Sequence, residues 1–219
     1  MTAPEMEQDV CMGILLKNNK REVNIMQAAK LVGGNPANGR TELDYYATNP
    51  EAVRMLLNTH SFQGKHILEP CVGAGHIANV LSEYFGEQVT CVDIVDRGYP
   101  ETIVTDFLSW DTDKSFDTII TNPPYNLATE FIYKCIELLK TGGQLAMFLK
   151  IQFLEGAKRK ELFEKYPPKY LYVFQKRMCV FNNGLEKDPV TGKQWATTLC
   201  NAWYIWEKGN VSEPIIRWI

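Results

Sequence analysis

Ile67-Leu68-Glu69-Pro70-Cys71-Val72-Gly73-Ala74-Gly75-His76-Ile77-Ala78 is the stretch on which the fold turns. A short apolar run ends in an acid, a proline follows at once, and two glycines precede a segment with helical apolar spacing. This reads as strand, glycine turn, helix. Glycines let the backbone approach a ligand closely, and the helix N-terminus adds N–H groups and partial positive charge. Asp93 ends the next apolar run, where a carboxylate can accept from ribose hydroxyls.

Two nucleotide sites compete for this loop. Gly73-x-Gly75-x-x-Ala78 satisfies the dinucleotide pattern G-x-G-x-x-A. In that reading the strand would run almost to Gly73, yet Pro70 cannot donate to the ladder of a central parallel strand. Ending the strand at Glu69 makes 70–75 a longer loop with an acid at its root. That form suits S-adenosylmethionine, whose ammonium end can face Glu69. A strand-to-helix turn that holds no ligand is the plain alternative.

On both sides of the loop, short apolar runs alternate with helical stretches. His66–Glu69, Gln88–Asp93, Thr102–Val104, Asp117–Thr121 and Gln144–Ile151 read as five strands, with Tyr170–Gln175 and Ala202–Glu207 later. Helices are expected over Ile77–Tyr84, Ala128–Leu139 (closed by Thr141-Gly142-Gly143) and Ala157–Lys165. Asn49-Pro50-Glu51 starts another, with Asn49 as cap and Pro50 at the first position. Such alternation predicts an α/β, doubly wound, mostly parallel sheet. Residues 1–43 read as an N-terminal extension expected to pack on or near the nucleotide site, with a short helix over Glu22–Leu31, and 44–219 as the main, catalytic domain.

The chain has 219 residues, 45% apolar and 22% charged, so disordered and collagen-like classes are excluded. Its net charge of −3 means that any polyanion must be gripped by a local patch rather than by the whole surface. The six cysteines include no C-x-x-C pair and the three histidines no metal spacing, so no metal is expected. With neither a leader-like start nor a long apolar run, a soluble, cytoplasmic, non-membrane protein is expected.

Asn122-Pro123-Pro124-Tyr125 follows the fourth strand directly. The motif resembles that of the amino-methyltransferases, and the roles that follow are what this resemblance implies: their target, a planar NH₂, donates its lone pair into its ring and is a poor nucleophile. Two carbonyls, the Asn122 side chain and the Pro123 backbone, can each accept one N–H and draw the nitrogen toward a tetrahedral shape. The prolines stiffen the turn and remove competing donors. Tyr125 offers a ring on which an extruded base can stack.

Here the sequence resembles the amino-methyltransferases, and most of all the small phage and prophage N6-adenine DNA methyltransferases. The resemblance implies the class I S-adenosylmethionine-dependent, Rossmann-like fold: a seven-stranded sheet with one antiparallel strand near its edge. It implies S-adenosylmethionine as cofactor, S-adenosylhomocysteine as product, and duplex DNA with a flipped adenine as partner. Asp44 to Pro50 resembles the family's N-terminal cofactor motif, in the gamma motif order, placing Tyr46, Thr48 and Pro50 near the methionine moiety. Glu69 and Pro70 with Gly73 and Gly75, Asp93 with Ile94, and Asp106 with Phe107 complete the implied cofactor set, and Asn122 borders it. Asn122, Pro123, Pro124 and Tyr125 are the implied catalytic residues. Glu69 departs from the aspartate of many relatives, and no separate target-recognition domain is visible. Only Met178 to Asn201 is available for that role, so specificity is short, relaxed or supplied by a partner.

Lys158, Arg159 and Lys160 could contact phosphates flanking the flipped base, and Lys193 and Trp195 could enter a groove; a solvated helix face and an ordinary hairpin are the plain alternatives. Lys17, Lys20 and Arg21 read as solvated, and Trp203, Trp206 and Trp218 as packing. Three rivals stay open: methylation of adenine in RNA or of a glutamine amide in protein by the same chemistry, a non-catalytic binding subunit, and a nicotinamide dehydrogenase. Monomer and homodimer are not distinguished.

Overall fold

The computed structural model describes residues 46–219 apart from 87, 88, 183, 196 and 198. The 1–43 extension, its expected helix, its basic cluster, and Asp44 and Tyr45 lie outside the described residues. Strand β1 (Tyr46–Ala47) leads into helix α1 (Pro50–Thr59). The Asn49 side chain accepts from the Glu51 N–H at 2.9 Å, and Ala52, Val53, Leu56 and Leu57 form the buried face. Strand β2 (Ile67–Glu69), helix α2 (His76–Phe85), strands β3 (Val89–Asp93), β4 (Ile103–Val104) and β5 (Phe116–Thr121), and helix α3 (Ala128–Leu138) follow. Then come β6 (Leu139–Lys150), helix α4 (Lys160–Lys165), β7 (Tyr170–Val173), β8 (Phe181–Asn182), β9 (Asn201–Glu207) and β10 (Ile215–Trp218).

The main sheet has eight strands in the order β10-β7-β9-β6-β5-β2-β3-β4, where seven were expected. Only β9 runs against the others, antiparallel to both β6 and β7. The eighth strand, β10, pairs parallel with β7 and forms an edge. Trp218 therefore stands 67% exposed on that edge and is not the packing residue expected of it. The glycine pair 142–143 does not close the helix. It lies within β6, where Gly142 takes φ +75° and donates to the Lys208 carbonyl at 3.1 Å. The expected helix over 157–165 opens as a 3-10 turn, Ala157–Arg159, before α4.

Alternation along the central strands sends side chains to two cores. Leu145, Met147 and Leu149 face α3 and α4 with Ala202, Tyr204 and Trp206. Ala146 and Phe148 face α1 and α2 with Trp203 and Ile205. Trp203 and Trp206 are fully buried, and their indoles donate to the carbonyls of Ala52 at 2.9 Å and Tyr166 at 3.0 Å, so neither apolar ring leaves a donor unmet. Chain order runs one way from β2 through β3 to β4 and the other way from β5 to β6. The reversal falls between β2 and β5, which pair in parallel. The crevice beyond the carboxyl ends of the strands at such a reversal is where this architecture binds ligands.

Candidate active site

Both motifs leave the sheet at that reversal, the glycine loop from β2 and N-P-P-Y from β5. Glu69 ends β2 only 1% exposed. Its carboxyl accepts from the Ala78 N–H in the first turn of α2, so it serves as the cap that Gly75 cannot supply. Its second oxygen has no partner. Burial, with the Asp93 carboxylate nearby, holds the Glu69 carboxyl well above the usual carboxylate range.

Gly75 takes φ +84°, and a Cβ there would stand 2.0 Å from the Tyr99 ring, so both its backbone and its packing require glycine. Asp93 accepts from the Gly73 N–H at 2.8 Å and the Val95 N–H at 2.9 Å, locking the loop to the end of β3. Each carboxylate oxygen keeps further acceptor capacity for a ligand hydroxyl. Asp106 is half-buried and accepts from the Leu108 N–H at 3.0 Å through Oδ1. The Phe107 ring packs 5.0 Å from Phe131 and 6.4 Å from Trp110. It braces the Asp106 turn from within the core.

After β5, Pro123 is buried and Asn122, Pro124 and Tyr125 are half-buried. Tyr125–Leu127 form one 3-10 turn into α3, closed by the Leu127 N–H on the Pro124 carbonyl at 2.9 Å. The Asn122 Nδ2 donates to the Tyr46 carbonyl at 3.3 Å. That contact turns Oδ1, the acceptor, the other way. Burial pushes the Tyr125 phenol up, and the Lys150 ammonium stands 4.8 Å above its ring. Thr48, 2% exposed, carries an unpartnered hydroxyl just before α1.

The segment 178–201 is built onto this region. Its strand β8 pairs antiparallel with β1, Tyr46 opposite Asn182 and Ala47 opposite Phe181. His76 reaches the Gly184 carbonyl at 3.2 Å, so its Nε2 carries the proton, and its ring meets Phe181 edge-on at 5.9 Å. Asp188 accepts from the Val190 and Thr191 N–H groups and closes a small hairpin. Trp195 donates to the Leu185 carbonyl at 2.6 Å, so its indole N–H serves the hairpin, while Lys193 is exposed.

The basic triplet divides. Arg159 donates to the carbonyls of Phe153, Gln152 and Glu155, and its guanidinium lies 4.6 Å from the Phe153 ring. Those bonds close the turn after β6 through Nε and Nη2. Lys160 pairs with Glu164 at 3.6 Å on an exposed face. Lys158 is exposed. Sequence reasoning missed Lys150 and the His76 link, both brought here by contacts between distant segments. Among the described residues no cluster of three or more metal-ligating side chains occurs, and no helix is long and apolar enough to cross a membrane.

No protein-family model matches the chain. It is 34% identical over 123 residues to the type II methyltransferase M.CvrRI of Paramecium bursaria Chlorella virus XZ-6E, covering 43% of this chain. The chain spans about a third of that relative, 32% of its length. Among solved structures, a protein of Agrobacterium tumefaciens described as a predicted O-methyltransferase matches with a TM-score of 0.56 at 15% identity, over 78% of this chain and 85% of that one. The M protein of the type I restriction enzyme EcoKI matches with a TM-score of 0.54 at 14% identity, over 77% and 45%. The fold is that of the class I S-adenosylmethionine-dependent methyltransferases. The viral relative agrees with the family resemblance read from N-P-P-Y.

Proposed function

We propose that this chain transfers a methyl group from S-adenosylmethionine to the exocyclic N6 amino group of adenine in DNA. One observation carries the reading: Asn122, held through Nδ2 by the Tyr46 carbonyl, presents Oδ1 at the sheet reversal beside the Glu69 loop. The methyltransferase relatives support the chemistry, and a type II modification enzyme among them favours DNA.

The chain's own groups fit the cofactor. The unpartnered, buried oxygen of Glu69 suits its ammonium, and the Thr48 hydroxyl and Pro50 suit the methionine moiety. Asp93 and Ile94 suit the ribose, Asp106 suits the adenine amino group, and Gly73 and Gly75 allow close backbone approach. Bound there, the cofactor supplies an electrophilic methyl sulfonium.

The rest falls to Asn122 to Tyr125. Oδ1 of Asn122 and the carbonyl of Pro123 accept the two N–H bonds of the target amine. The nitrogen lone pair, withdrawn from the ring, then points along the remaining direction. Neither carbonyl is basic enough to keep the proton that the nitrogen sheds, so it leaves to water. Stacking on Tyr125 contributes about 1–3 kcal/mol, comparable to the few kcal/mol that extrusion of the base costs. Catalysis here is positioning and electrostatics, with no covalent enzyme intermediate.

The test uses a labelled methyl donor, with unmethylated duplex DNA, total RNA and a protein extract as parallel acceptors. Label is expected in DNA. Label confined to RNA or protein would move the substrate, and tryptophan quenching by NAD but not by S-adenosylhomocysteine would overturn the methyltransferase reading.

A further inference from the structure

Asn201 is 4% exposed, and among the described residues neither its Nδ2 nor its Oδ1 has a hydrogen-bond partner. A buried amide with both ends unmet is costly, and native structures rarely tolerate one without a reason. Its position supplies the reason. Asn201 is the first residue of β9, the antiparallel strand, so it lies at the carboxyl end of the neighbouring parallel strands. It stands directly opposite Lys150 in the β6–β9 ladder. Directly opposed residues share a face, and their Cβ atoms are about 4.5–5.5 Å apart. Lys150 in turn places its ammonium 4.8 Å from the Tyr125 ring.

The same face carries Trp203, two residues along β9, whose indole bonds the Ala52 carbonyl in the first turn of α1. Asn201 therefore sits one pleat above Trp203, at the level of the segment that enters α1 and supplies the Tyr46 carbonyl to Asn122. Its ladder partner Lys150 thus links it to Tyr125 of N-P-P-Y, and its neighbour Trp203 links the same face to α1.

Resting on the adenine reading above, we propose that Asn201 binds the target base, its Nδ2–H donating to a ring nitrogen. With both amine N–H bonds already taken by Asn122 and Pro123, only ring acceptors remain, and N1, bonded to the amino-bearing carbon, is the one nearest to those two carbonyls. An amide is one of the side chains suited to a base edge. The sequence gives no hint of this, because Asn201 reaches the site only through its pairing with β6.

The test combines two variants with two altered bases in otherwise identical duplexes, adenine with N1 replaced by CH and adenine with N7 replaced by CH. Replacing N1 by CH is expected to cost the wild type about tenfold more in kcat/KM than it costs Asn201→Ala, the size of one hydrogen bond, while replacing N7 is expected to cost both proteins the same. Asn201→Asp keeps the shape, lacks the donor, and is expected to lose the same coupling, so a folding failure of the alanine variant leaves the question answerable. S-adenosylhomocysteine affinity is expected to stay within about twofold in both variants, the usual scatter for distant sites. Independent, multiplying penalties for both altered bases, or a loss of S-adenosylhomocysteine affinity, would overturn the assignment. A wild type inactive on unmodified DNA would instead sink the adenine reading, and this proposal with it.

Discussion

Asn122→Ala is expected to lower kcat about a thousandfold while leaving S-adenosylhomocysteine affinity within about twofold. The magnitude follows from other preorganised hydrogen-bonding groups aimed at the reacting centre, whose removal costs about 10²–10³ in rate. The geometry makes the separation of effects specific. Among the described residues, the Asn122 side chain makes one hydrogen bond, 3.3 Å from Nδ2 to the Tyr46 carbonyl, and its Oδ1 accepts none. The glycine loop and Glu69 are held by their own bonds to Ala78 and Asp93 and do not depend on it. Asn122→Asp is a sharper companion, since it sets a carboxylate against the Tyr46 carbonyl and loses the orienting bond. Single-turnover rates and equilibrium binding, measured together, check the pair. Wild-type turnover in Asn122→Ala would remove the amide from the chemistry.

Glu69→Gln is expected to weaken S-adenosylhomocysteine binding about a hundredfold, the usual range for removing one charge of a buried pair. The same change is expected to stabilise the free protein at neutral and higher pH. Burial raises the folded-state pKa of Glu69 above its unfolded value. Folding is therefore favoured by the protonated carboxyl. That contribution is complete below the ordinary carboxyl range and is lost as pH climbs toward the raised folded value. Glutamine keeps the acceptor for the Ala78 N–H and removes the titration, so its unfolding midpoint is expected to lie above that of the wild type at pH 8. Binding runs the opposite way. An incoming ammonium favours the ionised carboxylate, so association releases a proton and wild-type affinity rises with pH, whereas the Glu69→Gln curve stays flat. Calorimetry in two buffers of different ionisation enthalpy counts that proton. Equal slopes for both proteins would contradict this role for Glu69.

Local chemistry was legible in the sequence, and long-range pairing was not. The turn at 70–75 follows from a proline and two glycines within six residues, and the N-P-P-Y turn from two adjacent prolines, so both motifs could be placed at strand ends directly. The α1 start was equally readable, because Asn49 and Pro50 act within one turn. By contrast, β10 is four residues long and exposed along its length, with no apolar alternation to mark it. Gly142 and Gly143 carry the usual helix-stop signal, yet pairing with Lys208 makes them part of β6. Nothing local to Arg159 shows that its guanidinium folds back onto three carbonyls. Lys150 and Asn201 lie 51 positions apart and meet through ladder register alone. The fold was thus readable in class but one strand short, and the two candidate loops were readable where the Lys150 side chain that β6 sets over Tyr125 was not.

The most direct measurement of the central claim is the chemical position of the transferred methyl group. Unmethylated duplex DNA is incubated with the protein and S-adenosylmethionine, digested to nucleosides and resolved by mass. The Asn122, Pro123 and Tyr125 arrangement predicts N6-methyladenine as the methylated nucleoside, absent when Asn122→Ala is used. N4-methylcytosine as the product, or DNA left unmethylated while RNA or protein takes the label, would contradict it.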